Sequence, residues 1–230
     1  MQLEKLTKER RSEPKRGYDD ACGTAHALEL IGERWALLVL RELLLGPRRF
    51  SDLRADLPAI SANVLTQRLT ELEARGLVRK RRLPPPASVQ VYEATEWGLE
   101  TAPLIREMGR WAARSPAHDP TLPLSGVSIM LSFSAMLNAE RAEGFEGTVA
   151  FRFGEMVYVA RVANGAIDVR RGEASEGAAV ITGEPTDVAA VVYGGAPIDL
   201  LQIEGDVALA KRFLSLFTLP PKVEALGAAS

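Results

Sequence analysis

Four polar side chains able to hydrogen-bond with a partner share one face of a predicted helix. In the segment SANVLTQRLTELEARG, apolar residues recur at intervals of three, four and three, which predicts a helix with one buried stripe. That stripe consists of Ala62, Leu65, Leu69 and Leu72. At about 3.6 residues per turn, the opposite face of the helix is polar. It presents Asn63, Gln67 and Thr70, with Thr66 at its edge.

Both ends of this helix carry capping signals, and a basic strand follows it. Ser61 is suited to cap the N-terminus, and Gly76 suits the position after the C-terminus. The extended run from Leu77 then carries the consecutive cations Arg79, Lys80, Arg81 and Arg82. An ordinary amphipathic surface helix and a solvated strand end would each explain one part. Their order, after a short helix beginning at Phe50, favours a helix-turn-helix followed by a wing.

Such a motif would bind duplex DNA through two kinds of contact. Polar side chains of the second helix reach base edges in the major groove, whereas cations contact phosphates. The expected base contacts are Asn63, Thr66, Gln67 and Thr70, with Ser61 at the start of the same helix. The expected phosphate contacts are the four wing cations, Arg68 of the second helix for a flanking phosphate, and Arg48 and Arg49 ahead of the first helix of the motif.

The charge of the chain is unevenly distributed. The 230 residues carry a formal net charge of −2. Up to Asp119 there are 20 Lys and Arg against 17 Asp and Glu, and from Pro120 onward 8 against 13. A basic half and an acidic half predict two domains with different partners. The helices and strands predicted in both halves make this a multidomain α+β protein.

The sequence contains no signal for a membrane or for secretion. It has no run of 18 or more apolar residues, and its charged N-terminus lacks the apolar core of a signal peptide. The single cysteine excludes an internal disulfide and a multi-cysteine zinc site. We therefore expect a cytoplasmic protein that uses no metal and no other cofactor.

Prolines, glycines and charge divide the chain into four parts. Residues 1–17 form a charged arm, for which a solvated tail is a simpler explanation than phosphate contact. Residues 18–114 form the DNA-binding and dimerisation domain, which begins with one long apolar helix from Cys22 to about Leu45. Residues 115–124, with three prolines, form a linker, and residues 125–230 form a second domain.

The first half resembles the HxlR-type family of bacterial, MarR-like winged-helix transcription regulators. The resemblance covers roughly Cys22 to Arg114 and rests on the cysteine at the head of the first helix, IGERW, LLGPRRFSDL, LTQRLTELEARGLV and YEATEWG. It implies a homodimer that binds double-stranded operator DNA, with the helix from about Ser61 in the major groove. Family members often have a proline where this chain has Ala62, a difference that hardly disturbs a helix start.

Cys22 is a candidate sensor of oxidants or electrophiles. Relatives in this family include regulators that use a cysteine at this position in that way. The unsatisfied N–H groups at a helix start would favour its thiolate. A small buried side chain is the simpler alternative. His26, one turn later, is a candidate partner of the thiol.

The second half alternates predicted strands and helices. A helix from Val127 to Ala142 precedes three strands, TVAFRFG, MVYVARV and AIDVR, and Asn164-Gly165 forms a hairpin turn between the last two. A fourth strand, a helix opened by Pro185, the strand LLQIEGD and the helix VALAKRFLSLF follow. The segment VITGEPTDVAAVVYGGAPIDLLQIEGDVALAKRFLSLF resembles the sterol carrier protein family. That resemblance implies a curved sheet covered by helices on one side, with an apolar tunnel for lipids or other long hydrophobic molecules.

The final helix supplies the candidate ligand-binding residues of that tunnel. They are Val207, Ala210, Phe213, Leu214 and Phe217. A packed core would have the same composition, and the sequence leaves both interpretations open. This half has no cysteine, no histidine after His118, no paired carboxylates and no glycine-rich phosphate loop, so we do not expect an enzyme.

The resulting hypothesis is a homodimeric DNA-binding regulator whose second domain binds an apolar small-molecule effector. Repression is the expected mode, although the sign of regulation is not written in the sequence. The alternative is a hydrophobic-ligand carrier whose winged helix serves mainly for dimerisation or protein interaction. The four wing cations argue against the carrier, because they have no evident role without a polyanion.

Overall fold

The fold is a mixed α+β arrangement with an N-terminal winged helix-turn-helix and a C-terminal sheet. The computed structural model describes residues 17–85 and 88–224. The predicted arm therefore lies outside the described residues except for Gly17, and so do Pro86 and Ala87 of the wing tip.

Among the described residues, the N-terminal half has six helices and a two-stranded wing. The elements are α1 (Gly23–Ile31), α2 (Ala36–Leu43), α3 (Phe50–Asp56), α4 (Ala62–Ala74), β1 (Val78–Arg82), β2 (Gln90–Ala94), α5 (Glu96–Leu99) and α6 (Ala102–Ala112). The predicted stripe on α4 faces the core, where Leu65, Leu69 and Leu72 are fully buried. They belong to one cluster with Val39 and Leu40 of α2, so the second helix of the motif is fixed by its apolar side.

The long helix predicted from Cys22 to Leu45 is wrong in one respect, because two helices stand in its place. α1 ends at Ile31 and α2 begins at Ala36, after Trp35 in the left-handed region at φ 79°. A Cβ on Gly32 would lie 2.4 Å from the carbonyl oxygen of Leu28, so glycine is required where the chain turns. The break lets α2 turn into the core independently of α1.

The C-terminal half is built on a five-stranded sheet. Its elements are α7 (Gly126–Met136), α8 (Ala139–Ala142), β3 (Gly147–Phe153), β4 (Met156–Ala163), β5 (Ala166–Arg171), β6 (Ala179–Thr182), α9 (Pro185–Gly194), β7 (Gln202–Gly205) and α10 (Val207–Leu214). The strand order is β5-β4-β3-β6-β7, and only the β3–β6 pair is parallel. The predicted hairpin turn is confirmed, since Asn164 and Gly165 both have positive φ.

The core of this half is aromatic. Phe133 of α7 stacks on Phe217 with ring centroids 4.3 Å apart, and Phe213 of α10 lies 5.8 Å from Phe151 of the sheet. All four rings are fully buried. Helices α7 and α10 therefore cover the same face of the sheet.

One further helix is shorter than predicted. The helix from Val127 to Ala142 is interrupted at Leu137, where the backbone turns extended and Asn138 caps α8 by accepting a hydrogen bond from Arg141 N. After the wing the chain forms two helices, α5 and α6, and Pro103 lies in the first turn of α6. A proline lacks the N–H that a continuous helix would use there.

The two halves share a buried polar contact. The Oε1 atom of Glu42, on α2, accepts hydrogen bonds from the Arg41 guanidinium and from the Ser125 hydroxyl at 2.9 Å. Arg171 of β5 donates to the carbonyl of Pro47 at 2.8 Å. Residues 115–124, all of which are described, form neither helix nor strand. Within the described ranges, no helix is long and apolar enough to cross a membrane.

Candidate nucleic-acid interface

The outward face of α4 is polar and exposed. Ser61 caps the helix by accepting a hydrogen bond from Val64 N at 3.3 Å, and Gly76 ends it at φ 75°. The predicted base contacts Asn63, Thr66, Gln67 and Thr70, together with Ser61, are all exposed. The Thr66 hydroxyl donates to Ala62 O, and the Gln67 amide donates to Glu71 Oε1 at 2.9 Å. These two bonds orient the side chains before any partner arrives.

Two arginines predicted to contact phosphate are buried and paired within the domain. The side chain of Arg68 is 9% exposed, donates to Glu71 Oε2 at 2.6 Å and lies 3.4 Å from Glu33 Oε2. Arg48 is 6% exposed and forms an ion pair with Asp56. Burial and pairing leave both guanidinium groups inside the domain. The helical periodicity did not reveal this, because Glu33 lies far from Arg68 in the chain.

The wing is an antiparallel hairpin whose cations are partly neutralised. Arg79 and Arg81 both bind the Glu93 carboxylate, at 2.6 and 2.9 Å. Lys80 lies 3.1 Å from Glu73 Oε2, a hydrogen bond that raises the pKa of this lysine. Glu93 was not singled out in the sequence. The hairpin register could have revealed it, since Arg79 stands directly opposite Glu93.

Among the cations predicted to contact phosphate, Arg82 and Arg49 are the two that are both exposed and outside the ion pairs of the described residues. Both are exposed, and among the described residues neither forms a salt bridge. Arg82 Nε donates to the carbonyl of Ser88, at 3.3 Å. Arg49 stands at the start of α3, whose own first turn holds Asp52. The prediction of phosphate contacts is thus best supported at these two positions.

The Cys22 thiol is exposed at the start of α1. Hydrogen bonds from the backbone N–H groups of Thr24 and Ala25 lower the pKa of this thiol below its ordinary value. The His26 ring faces elsewhere, with Nδ1 3.1 Å from Glu29 Oε2. The lowered pKa therefore comes from the helix N-terminus and not from the histidine.

The residues expected to line a tunnel in the C-terminal half pack against each other. Ala210, Phe213, Leu214 and Phe217 are at most 4% exposed and belong to the aromatic core, whereas Val207 is 42% exposed. Four of the five candidates are therefore part of the buried core of this half. Within the described residues, no group of three or more His, Cys, Asp or Glu side chains could hold a metal ion.

The exposed polar helix beside a basic hairpin defines a winged helix-turn-helix DNA-binding protein. The profile of the HxlR-like helix-turn-helix family matches residues 30–119. The HTH-type transcriptional regulator YvaP of Bacillus subtilis is 40% identical over 87 residues, which is 37% of this chain and 80% of that protein. YodB of the same organism is 36% identical over 86 residues, which is 37% of this chain and 77% of YodB.

Solved structures also match part of the chain. The reduced form of YodB from B. subtilis has a TM-score of 0.39 at 32% identity, over 44% of this chain and 100% of that one. The redox regulator HypR in its oxidised form has a TM-score of 0.37 at 30% identity, over 40% of this chain and 94% of that one. The chain belongs to the HxlR-like family of helix-turn-helix transcriptional regulators. Members of such families are generally not enzymes.

Proposed function

We propose that this protein is a homodimeric repressor that binds operator DNA through α4 and the wing, and that a small molecule controls it. The observation that carries the proposal is the exposed polar face of α4 next to exposed cations. Repression requires only that a bound dimer cover a promoter. Asn63 and Gln67 would read bases, and Arg49 and Arg82 would contact phosphates.

The dimer is supported by an apolar surface around α6. No residue of this helix is buried, and Trp111 is 76% exposed. Leu104 and Met108 lie on the same side of α6, and Trp97 and Leu99 of α5 are also exposed. Monomeric proteins rarely leave so many large apolar side chains together in water. A second copy of the chain would cover them.

The effector domain is supported by its architecture. A sheet of order β5-β4-β3-β6-β7 with α7 and α10 on one face agrees with the sterol-carrier-like interpretation of the sequence. In the packed state seen here, the final helix would have to move away from the sheet before a long apolar ligand could enter beside Phe213 and Phe217.

Selection from a random duplex pool tests DNA binding and finds the operator sequence in one experiment. It should enrich a two-fold sequence with half-sites about 10 base pairs apart. Fluorescence anisotropy on the selected duplex should show that Asn63→Ala and Gln67→Ala each weaken binding by about 1–3 kcal/mol, with little effect on random DNA.

The phosphate contacts are tested by the salt dependence of the same assay. The double variant Arg49→Gln/Arg82→Gln removes two contacts per chain, so the slope of log affinity against log salt should decrease in magnitude by about 3.6 per dimer. Arg161→Gln, an exposed cation on β4, is the matched control and should leave the slope unchanged. If the wild-type protein binds no DNA at low salt, the ligand-carrier alternative replaces this proposal.

The dimer surface has its own test. Met108→Glu/Trp111→Glu places charge on the exposed face of α6 without touching the buried core. Light scattering should give a monomer for this variant and a dimer for the wild type. An unchanged dimer would place the interface elsewhere.

Cys22 supports an additional sensing role. Its thiol is exposed and has a lowered pKa, the two properties that make a cysteine reactive toward oxidants and electrophiles. Treatment with diamide or a quinone should change the DNA affinity of the wild type and leave Cys22→Ser unaffected. An equal response of both proteins would remove Cys22 from the mechanism.

A further inference from the structure

A cavity of about 410 Å³ lies where the two halves of the chain meet. Its wall combines one side of α6, residues 118–120 and 122–124 of the linker, α7, and Tyr193 of α9. The volume is within the range of about 300–1,000 Å³ that is usual for small-molecule sites. The wall includes none of the five residues of the final helix that the sequence suggested for a tunnel.

The wall is largely apolar and carries a few polar groups at fixed positions. Its larger apolar side chains are Ile105, Leu122, Leu124, Leu131, Met136 and Leu219. The hydroxyl groups of Ser132 and Tyr193 lie 2.8 Å apart on the same wall. Such a surface suits a ligand with an apolar body and a small polar part.

The charged groups on the wall favour an anionic ligand. Arg41 uses Nε and Nη2 for Glu42 Oε1, and among the described residues its Nη1 has no hydrogen-bond acceptor. Arg106 is 44% exposed and only 3.6 Å from Glu107, a weak contact. The carboxylate on the wall, Asp119, already accepts two hydrogen bonds from Thr121. The wall thus carries two guanidinium groups and one carboxylate.

We propose that this cavity binds an amphipathic organic anion whose apolar body lies between α6 and α7 and whose acidic group pairs with Arg41 and Arg106. The inference rests on the proposed function. It assigns the effector site to the junction of the two halves and not to the core of the C-terminal half. The ligand class is set by the arginines and by the apolar wall.

The position of α6 explains how such a ligand would act on DNA binding. Ile105, Gly109 and Ala113 of this segment border the cavity, whereas Met108 and Trp111 belong to the exposed face proposed for dimerisation. An occupied cavity would therefore bear on the back of the dimer helix. An acidic group on Arg41 would also compete with Glu42, which is buried on α2. A ligand that binds one dimer geometry better shifts the population toward it.

The test uses two fluorescent probes that differ by one charge. They are 8-anilinonaphthalene-1-sulfonate and its neutral counterpart N-phenyl-1-naphthylamine, titrated against the full chain without DNA. We expect one saturable site per chain and tighter binding of the sulfonate. Gly109→Leu should weaken both probes by at least about tenfold. A Cβ on Gly109 meets nothing within 4 Å, so the new side chain enters open space and the fold is retained.

Two further variants separate the parts of the proposal. Arg106→Gln should weaken the sulfonate by about two- to fivefold and leave the neutral probe unchanged. Arg161→Gln, at an exposed position on β4 outside the cavity wall, is the matched control and should leave both affinities unchanged. The proposal is overturned if the wild type binds neither probe, or if Gly109→Leu binds them as the wild type does. Equal affinity for both probes, unaffected by Arg106→Gln, would overturn the anionic class.

These outcomes are independent of DNA recognition. The anisotropy assay on the selected duplex, repeated with unliganded Gly109→Leu, should give wild-type affinity. If the wild type shows no DNA binding, the regulator proposal is refuted, and the probe titrations can still be interpreted.

Discussion

Replacing Arg68 by alanine distinguishes a structural arginine from a phosphate contact. Arg68 Nη1 donates to Glu71 Oε2 at 2.6 Å, and the side chain is 9% exposed. A hydrogen bond between charged groups contributes about 1.5–3 kcal/mol. Glu71 is 29% exposed and Glu33 47%, so water would solvate both carboxylates after the substitution. We therefore expect a loss of about 1–2 kcal/mol of unfolding free energy.

The matched control is Arg82→Ala, on the exposed wing. At about 2–4 °C per kcal/mol, Arg68→Ala should lower Tm by about 2–8 °C, measured by circular dichroism. Arg82→Ala should leave Tm unchanged but reduce the salt slope of DNA binding by about 1.8 per dimer. Arg68→Ala should keep the wild-type slope. If Arg68→Ala instead lowers the slope at unchanged Tm, the reasoning from burial is refuted and the arginine contacts phosphate.

Three other outcomes can be measured on single variants. Ser125→Ala removes both the cap of α7 and a hydrogen bond to Glu42. It should lower the free energy of unfolding in urea by about 1–3 kcal/mol, with Ser128→Ala as a milder control. An unchanged unfolding midpoint would show that this contact between the two halves contributes no stability. The thiolate fraction of Cys22 should rise with pH through a pKa below that of a free cysteine. Near neutral pH, iodoacetamide should therefore alkylate the Cys22 thiol faster than it alkylates the thiol of glutathione. Equal alkylation rates for the two thiols would contradict the hydrogen bonds to the Cys22 sulfur. Gly76→Ala should lower the free energy of unfolding by about 1 kcal/mol because Gly76 has a positive φ, while the added Cβ meets no atom within 4 Å. Gly109→Ala, in a regular helix, should by comparison raise the free energy of unfolding.

Much of the DNA-binding half was determined by local sequence. The spacing of Leu65, Leu69 and Leu72, the cap at Ser61 and the turn at Gly76 together fix a helix and its buried side. In the C-terminal half, the alternating apolar residues and the turn residues around Asn164 likewise fix a hairpin. These features depend on residues within a few positions of each other, so one sequence window contains the whole cause.

The features that the sequence did not reveal depend on residues far apart in the chain. The sequence suggested that Arg68 is an exposed cation, but in the fold its guanidinium lies beside Glu33, which comes from another part of the chain. From the sequence, Phe213 and Phe217 could belong to a tunnel wall or to a core. In the structure both rings pack against Phe133, so they belong to the core. The junction cavity joins α6 to α7 across the linker. Local pattern determines which side of an element is apolar, whereas tertiary packing decides what that side meets and which charges become buried.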